Sequence, residues 1–246
     1  MNHVVKQMQK GFTLIELMLA MAFISALLLA IALTILQVGT IYNRGMTLKE
    51  VNQASRSVSD DITRSMAASQ AFSLSNKYLT TSAGGRLCLG QNTYIWNLGK
   101  AFANTTLGTA NDQNLVSYDT PTGKAPIRFI KIADPAGLYC VKGPDGILPL
   151  YKNIRAIDTD APIEMLKSGD RTLTMHQFKV ESGANGYDSA TGQQLYNVTF
   201  TIGTGDVSAL TTDRTACLPP GTPNSDFSYC TVQQFSLVTR AGNRVN

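Results

Sequence analysis

The fold of this chain is organised around the stretch Lys10-Gly11-Phe12-Thr13-Leu14-Ile15-Glu16-Leu17 and the apolar run that follows it. Residues 17–36 contain no charged side chain. A helix rises about 1.5 Å per residue, so this run spans about 30 Å, the thickness of the hydrocarbon core of a bilayer. Glu16 lies at the front of the run, where a carboxylate costs free energy. It is therefore the first candidate for a functional residue.

A short basic segment precedes the run. Lys6 and Lys10 are its only charged residues. Positive charge on this side holds the N-terminus in the cytoplasm, so the remainder of the chain should be exported. A cleaved secretory signal fits poorly, because its only small-residue cleavage site, Ala20-Met21-Ala22, lies inside the apolar run. A plain signal anchor explains every feature except Glu16.

The residues around Glu16 resemble the class III signal of type IV pilins and of the related pseudopilins. The shared features are a short basic leader, Gly11 before Phe12, a glutamate as the fifth residue after that bond, and about 20 apolar residues. The resemblance implies cleavage between Gly11 and Phe12 by a prepilin peptidase and N-methylation of the new Phe12 amine. It also implies that Glu16 is the carboxylate that directs assembly.

The same resemblance implies a plan for the whole chain. Residues 1–11 would be the leader, residues 12–72 a long helix that spans the membrane at about 12–38, and residues 73–246 a β-rich globular domain with disulfides. The expected partners are other pilin subunits through the N-terminal helix, prepilin peptidase, the inner-membrane pilus assembly platform and, before assembly, membrane lipid. A single-pass inner-membrane protein with an exported domain would thus end in an extracellular pilus.

The chemistry of Glu16 agrees with an assembly role. A buried carboxylate is tolerated when a cation neutralises it. In a filament, the freed amine of Phe12 in one subunit would meet Glu16 of another subunit and so set the register between them. The alternative is a carboxylate that is merely tolerated at the membrane interface.

Beyond the apolar run the sequence predicts an amphipathic helix that continues to about Phe72. Its polar residues lie on the other faces, and Gly39 and Gly45 form a weak joint before it. The stripe expected to pack against a sheet consists of Leu48, Val51, Ser55, Val58, Ile62 and Met66.

From Ser73 onward, β-branched and aromatic residues cluster in short runs separated by Gly, Pro, Asn and Asp. Nine strands are predicted, at residues 86–89, 93–96, 115–118, 127–132, 138–141, 153–157, 172–180, 194–202 and 231–238. The last three alternate apolar and polar residues, which favours an antiparallel sheet with one buried face. The expected class is α+β, a pilin fold in which the long N-terminal helix packs on an antiparallel β-sheet.

Four cysteines follow the apolar run: Cys88, Cys140, Cys217 and Cys230. Their number favours two disulfides in an oxidising compartment, and their spacing is not that of a zinc site. Four cysteines allow three pairings. We favour Cys217–Cys230, which resembles the disulfide-bounded C-terminal loop of many type IV pilins, together with Cys88–Cys140.

No metal, cofactor or nucleic-acid partner is expected, and the chain is not expected to be an enzyme. The net charge of +4 is small, and loss of Lys6 and Lys10 with the leader would lower it to +2. His176 is the only histidine of the body and is predicted as a surface or half-buried structural residue. The loop at residues 185–192 lacks the dense acidic spacing of calcium loops and is predicted as a hairpin loop.

The sequence therefore predicts a structural subunit of a type IV pilus, and its length favours a minor one. Without the leader, 235 of the 246 residues would remain, more than in typical major pilins. Two alternatives stay open: a pseudopilin of a type II secretion system, which shares the N-terminal signal, and an adhesin or DNA-binding pilin at the tip. The roles implied are pilus assembly, adhesion or motility.

Overall fold

The computed structural model describes residues 11–103, 116–120, 123–140, 162–166, 172–226 and 228–242. The chain divides into two compact units, Met1–Asn43 and Arg44–Asn246. Helix α1, Leu14–Ala67, is continuous over 54 residues. It begins and ends a few residues inside the predicted range of 12–72.

In the second unit, α1 buries one stripe of side chains. Val51, Val58, Ile62 and Met66 are fully buried, and the hydroxyl of buried Ser55 donates to the carbonyl of Val51 at 2.7 Å. This stripe is predicted from the sequence because its members recur at steps of three and four.

The first residue of the predicted stripe, Leu48, is not part of the core. Its side chain is 38% exposed, whereas Thr47 and Glu50 are buried. The buried face at this end of the helix is therefore rotated relative to the prediction. A stripe of period 3.6 can be extended backwards from Val51 through either Leu48 or Thr47, and hydropathy alone selects Leu48.

Ten strands follow α1 among the described residues. They are β1 Tyr78–Thr80, β2 Gly84–Cys88, β3 Asn92–Asn97, β4 Ser117–Thr120, β5 Gly123–Pro126, β6 Phe129–Ala133, β7 Ile163–Glu164, β8 Leu173–Asp188, β9 Gln193–Thr204 and β10 Val232–Ala241. Two short α-helices, α2 Leu74–Lys77 and α3 Gly99–Ala103, lie before β1 and after β3.

The predicted α+β class, a long helix followed by antiparallel β-structure, is confirmed. The named strands pair in antiparallel fashion, but they form two main sheets and a hairpin instead of one sheet. The first sheet has the order β1-β2-β3-β6-β7, and the second has the order β10-β9-β8. Strands β4 and β5 form the separate hairpin.

The strand predicted at residues 138–141 is wrong, because Leu138–Cys140 forms a 3-10 helix. The preceding Gly137 has a φ of +66°, which turns the chain before a strand can begin. The strand predicted at residues 153–157 lies outside the described residues. Strands β1, β5 and β7 were not predicted, since two to four residues are too few to show a period.

One core joins α1 to both sheets. Aromatic rings form a continuous path through it: Trp96 on β3 lies 4.5 Å from Phe178 on β8, and Phe178 lies 6.2 Å from Phe200 on β9. Phe200 is in turn 5.6 Å from Phe235 on β10. Each fully buried aromatic side chain stabilises the fold by about 1.5–3 kcal/mol. The two sheets are thus held together through their side chains.

A polar cluster ties α1 to the first sheet. The Asp61 carboxylate accepts a hydrogen bond from Lys131 Nζ at 2.9 Å and another from the Tyr94 hydroxyl at 2.5 Å. Ser65 Oγ lies 2.7 Å from the same hydroxyl. Burial, and then the neighbouring Asp61, raises the pKa of Tyr94 well above its usual value, so the phenol stays protonated and donates.

Candidate functional site

The candidate site is the start of α1, where Thr13 and Glu16 bond to each other reciprocally. The backbone N–H and the hydroxyl of Thr13 both donate to Glu16 Oε2 at 2.9 Å. The backbone N–H of Glu16 donates to Thr13 Oγ1 at 3.3 Å. This is a capping box, which satisfies donors that a helix N-terminus leaves without partners. It accounts for the start of the helix at Leu14.

This capping box was not predicted, although its sequence signal is present. A Thr followed three residues later by a Glu, directly before an apolar run, is the pattern that predicts one. Glu16 was selected as a candidate because its charge is costly in an apolar setting. Its hydrogen bonds to Thr13 were not predicted.

The capping box gives Glu16 Oε2 two hydrogen-bond donors but supplies no cation to pair with the carboxylate. Thr13 supplies only neutral donors, and Glu16 forms no ion pair within the part of the chain that the structure describes. A full negative charge therefore stands at the entrance of an apolar helix. Such a carboxylate is suited to bind a cation from another molecule.

The residues on either side of the predicted cleavage bond lie outside α1. Gly11, Phe12 and Thr13 are not helical, and the Phe12 side chain is 89% exposed. A Cβ added to Gly11 would meet no atom within 4 Å. The bond between Gly11 and Phe12 is therefore accessible in a non-helical segment. Because the cut would fall before Phe12, the amide and hydroxyl of Thr13 would survive it.

The apolar run lies on α1 and is entirely exposed. Every residue from 17 to 36 is exposed. Among the described residues, α1 is the one helix long and apolar enough to cross a membrane, and none of its apolar window is buried inside the structure. A run of this length and hydropathy fits a membrane anchor.

Comparison with known families bears directly on this segment. Residues 6–36 match the family model of the prokaryotic N-terminal methylation motif. The N-terminus is that of a type IV pilin-like protein. The matched segment contains Gly11, Phe12, Glu16 and the whole apolar run at residues 17–36, so the resemblance drawn from these residues is confirmed. No curated protein and no solved structure gives a significant match to the chain.

This pilin-like signal fits anchoring in a membrane by α1 and indicates a structural protein. The matched residues end at 36, so they carry no information about the globular part of the chain.

The cysteines of that globular part form two disulfides, and the described residues contain no free cysteine. Cys88 at the end of β2 is bonded to Cys140, and Cys217 is bonded to Cys230. These are the two pairings favoured in the sequence analysis. The corresponding Cα–Cα distances are 6.3 and 5.9 Å, within the usual range for disulfides.

His176 is more buried than predicted. Its side chain is only 8% exposed, and Nε2 lies 3.1 Å from the carbonyl oxygen of Thr204. The β8–β9 register shifts between Met175 and Gln177, so His176 occupies an irregularity that interrupts the alternation of faces. Burial, opposed by the bond to Thr204, lowers the pKa of His176 to about 4. A neutral imidazole at this depth is a structural group.

The predicted hairpin loop at 185–192 is shorter than expected, because β8 extends to Asp188. The Asp188 carboxylate accepts hydrogen bonds from Ala190 N at 2.9 Å and from Thr191 Oγ1 at 2.7 Å. These bonds shape the turn into β9. Within the described ranges, no three His, Cys, Asp or Glu side chains are grouped so that they could hold a metal ion.

Proposed function

We propose that this protein is a structural subunit of a type IV pilus, and a minor one. The observation that carries the proposal is the uncompensated Glu16 carboxylate at the start of a fully exposed apolar helix, within the matched methylation motif. The length of the globular part supports a minor subunit over a major one. The alternative, a pseudopilin of a type II secretion system, would use the same N-terminal chemistry.

In the proposed pathway, α1 first anchors the chain in the inner membrane with the globular part exported. Prepilin peptidase cuts between Gly11 and Phe12 and methylates the new Phe12 amine. The assembly platform then transfers the subunit from lipid into the fibre, where α1 packs against the helices of other subunits. The amine of one Phe12 pairs with the Glu16 of another subunit.

The capping box explains how Glu16 would persist in the membrane before assembly. Hydrogen bonds from Thr13 lower the cost of placing Oε2 of Glu16 in an apolar setting, although they do not remove the charge. When a partner amine arrives, the capping bonds need not break, because one carboxylate oxygen receives both of them. The second oxygen remains available to the cation.

Two substitutions separate the charge of Glu16 from its capping role. Glu16→Gln removes the charge but keeps a side chain that can complete a capping box, whereas Thr13→Ala removes the box and keeps the charge. We expect Glu16→Gln to be inserted and processed normally but to fall about tenfold or more in sheared filaments, because a buried amine would lose its counter-charge. Thr13→Ala should stay within about twofold of the wild type, since a lost cap costs only about 1 kcal/mol.

The measurement is quantitative immunoblotting of sheared filaments against membranes, with mass spectrometry of the mature N-terminus. Normal incorporation of Glu16→Gln together with loss of Thr13→Ala would assign Glu16 to helix capping and would refute the assembly role. Immunogold labelling of the filaments separates the two kinds of assembly. Labelled pili support the pilus subunit, whereas unlabelled pili with a secretion defect in the deletion strain would favour the pseudopilin.

A further inference from the structure

Tyr42 lies on the exposed part of α1, a short distance beyond the apolar run. It is the only tyrosine of this helix, which contains no tryptophan, and its side chain is 66% exposed. Tyrosine and tryptophan are enriched where a membrane-spanning helix meets the lipid headgroups, because their rings are apolar and their tips are polar. The position of Tyr42 along α1 therefore decides whether it lies at such an interface.

The spacing of Glu16 and Tyr42 matches the thickness of a bilayer. The two residues are 26 positions apart on one uninterrupted helix, which corresponds to about 39 Å. The hydrocarbon core of a bilayer is about 30 Å thick, and the bilayer with its headgroup regions is about 40–45 Å thick. No charged residue lies between Glu16 and Arg44. When Tyr42 lies at one interface, Glu16 therefore lies close to the other.

The direction of the side chains strengthens this match. Each Cα–Cβ bond of a helix tilts toward the N-terminus. Glu16 follows this tilt, because its Oε2 accepts hydrogen bonds from Thr13, three residues earlier. With the N-terminus in the cytoplasm, the tilt carries the carboxylate toward cytoplasmic water. The same tilt carries the ring of Tyr42 back toward the hydrocarbon, over the end of the apolar run.

The apolar run between these two residues contains no polar group that lacks a partner. Ser25 and Thr34 are the only polar residues at positions 17–36. The hydroxyl of each donates to the carbonyl four residues earlier at 2.8 Å. Such bonds satisfy a hydroxyl within its own helix, so lipid alone can surround the run. Polar side chains return only at Gln37, on the side of Tyr42.

We propose that Tyr42 anchors α1 at the exported lipid interface and thereby holds Glu16 at the cytoplasmic boundary of the hydrocarbon core. The partner of Tyr42 is phospholipid, with the hydroxyl among the headgroup and ester groups and the ring against the acyl chains. A shift of the helix toward the exported side would draw the carboxylate into hydrocarbon, and the opposite shift would bury the hydroxyl. This inference rests on the membrane anchoring in the proposed function and not on the kind of filament.

The depth of Tyr42 can be measured with brominated phospholipids, which quench tryptophan on contact. The full chain is reconstituted at a low protein-to-lipid ratio in bilayers brominated near either the glycerol end or the methyl end of the acyl chains. Trp96 is the only tryptophan of the chain and is fully buried, so the wild type gives the background. Tyr42→Trp should be quenched more strongly by glycerol-end bromine. The control Leu29→Trp, midway between Glu16 and Tyr42, should be quenched more strongly by methyl-end bromine.

A second set of variants tests the anchoring, because a tryptophan at position 42 is itself an interfacial residue. The reporter is Leu36→Trp at the end of the apolar run, with Tyr42 retained. Adding Tyr42→Ile removes the polar tip, so the helix can slide toward the cytoplasm and the reporter should shift toward methyl-end bromine. Adding Ile41→Leu instead, which exchanges one exposed apolar residue for another, should leave the reporter at its original depth.

Three results would overturn the proposal. Quenching of Tyr42→Trp by neither lipid would place this residue outside the bilayer, and stronger quenching by methyl-end bromine would place it within the hydrocarbon. An unchanged reporter depth after Tyr42→Ile would show that Tyr42 does not set the position of the helix. Failure of the proposed function itself gives a different result, because Leu29→Trp would then escape quenching by both lipids and membrane anchoring by α1 would be refuted.

Discussion

At the scale of single residues, His176 makes stability depend on pH. Its ordinary pKa is 6.5, and burial lowers the pKa to about 4 in the folded protein. The unfolded chain therefore binds more protons than the folded chain between these two values, so stability falls as pH decreases. The stabilisation is complete above pH 6.5 and is lost progressively toward pH 4. The full loss is about 3 kcal/mol.

The control is His176→Gln, which keeps a group able to donate to Thr204 O and removes the titration. Denaturant unfolding of both proteins between pH 4 and 8 gives a difference that isolates His176 from the carboxyl groups. Glu164, whose pKa burial raises, is present in both proteins and cancels. Parallel pH profiles for the two proteins would show that His176 titrates normally.

Candidate residues could be selected from the sequence where the chemistry was local. Glu16 stands out because a charge in an apolar run needs a reason, and Gly11 and Phe12 stand out by their position before it. The depth of His176 was not predictable, because it depends on an irregularity in pairing with a strand more than twenty residues away in sequence.

At the scale of elements, the contact between Asp61 and Lys131 holds α1 against the first sheet. Lys131→Met keeps most of the apolar stem but removes the cation. The half-buried Asp61 carboxylate then keeps the Tyr94 hydroxyl as its hydrogen-bond donor from the first sheet. We expect a loss of about 1–3 kcal/mol in the free energy of unfolding. Thermal or denaturant unfolding of the full chain in detergent measures it.

A double-mutant cycle tests whether the loss belongs to this pair. Asp61→Asn with Lys131→Met should be less destabilising than the sum of the single changes, because the double variant leaves no unpaired charge. Additive effects would mean that the Lys131 cation contributes through the Tyr94 ring, whose centroid lies 5.9 Å from Nζ, and not through Asp61.

The elements were predictable where a period extended over many residues. The stripe from Val51 to Met66 and the alternation in β9 repeat often enough to fix which side chains are buried. Alternation identifies the buried face of a strand but not its neighbour, so the division into two sheets was not predictable. At Leu138–Cys140, β-branched and aromatic neighbours suggested a strand, while the turn at Gly137 decided the outcome.

At the scale of the whole molecule, the two disulfides constrain different parts of the globular unit. Cys88–Cys140 closes a loop with a sequence separation of 52 that contains β3 and β6 of the first sheet. Cys217–Cys230 closes a loop with a separation of 13, and Cys230 packs in a small cluster with Ala209 and Leu210. The sequence alone left three pairings open because pairing depends on which strands become neighbours.

Removing the two disulfides one at a time should therefore have unequal effects. In the chain-entropy model, the longer loop contributes about 4 kcal/mol and the shorter about 3 kcal/mol. Changing Cys88 and Cys140 to alanine should lower the unfolding midpoint more and should increase amide exchange in the first sheet, where Cys88 is almost fully buried. Changing Cys217 and Cys230 to alanine should increase exchange mainly at residues 207–231 and leave the first sheet protected.

Peptide mapping without reductant confirms the bond that remains in each variant. Equal unfolding midpoints, or increased exchange at the same residues in both variants, would contradict separate roles for the two bonds.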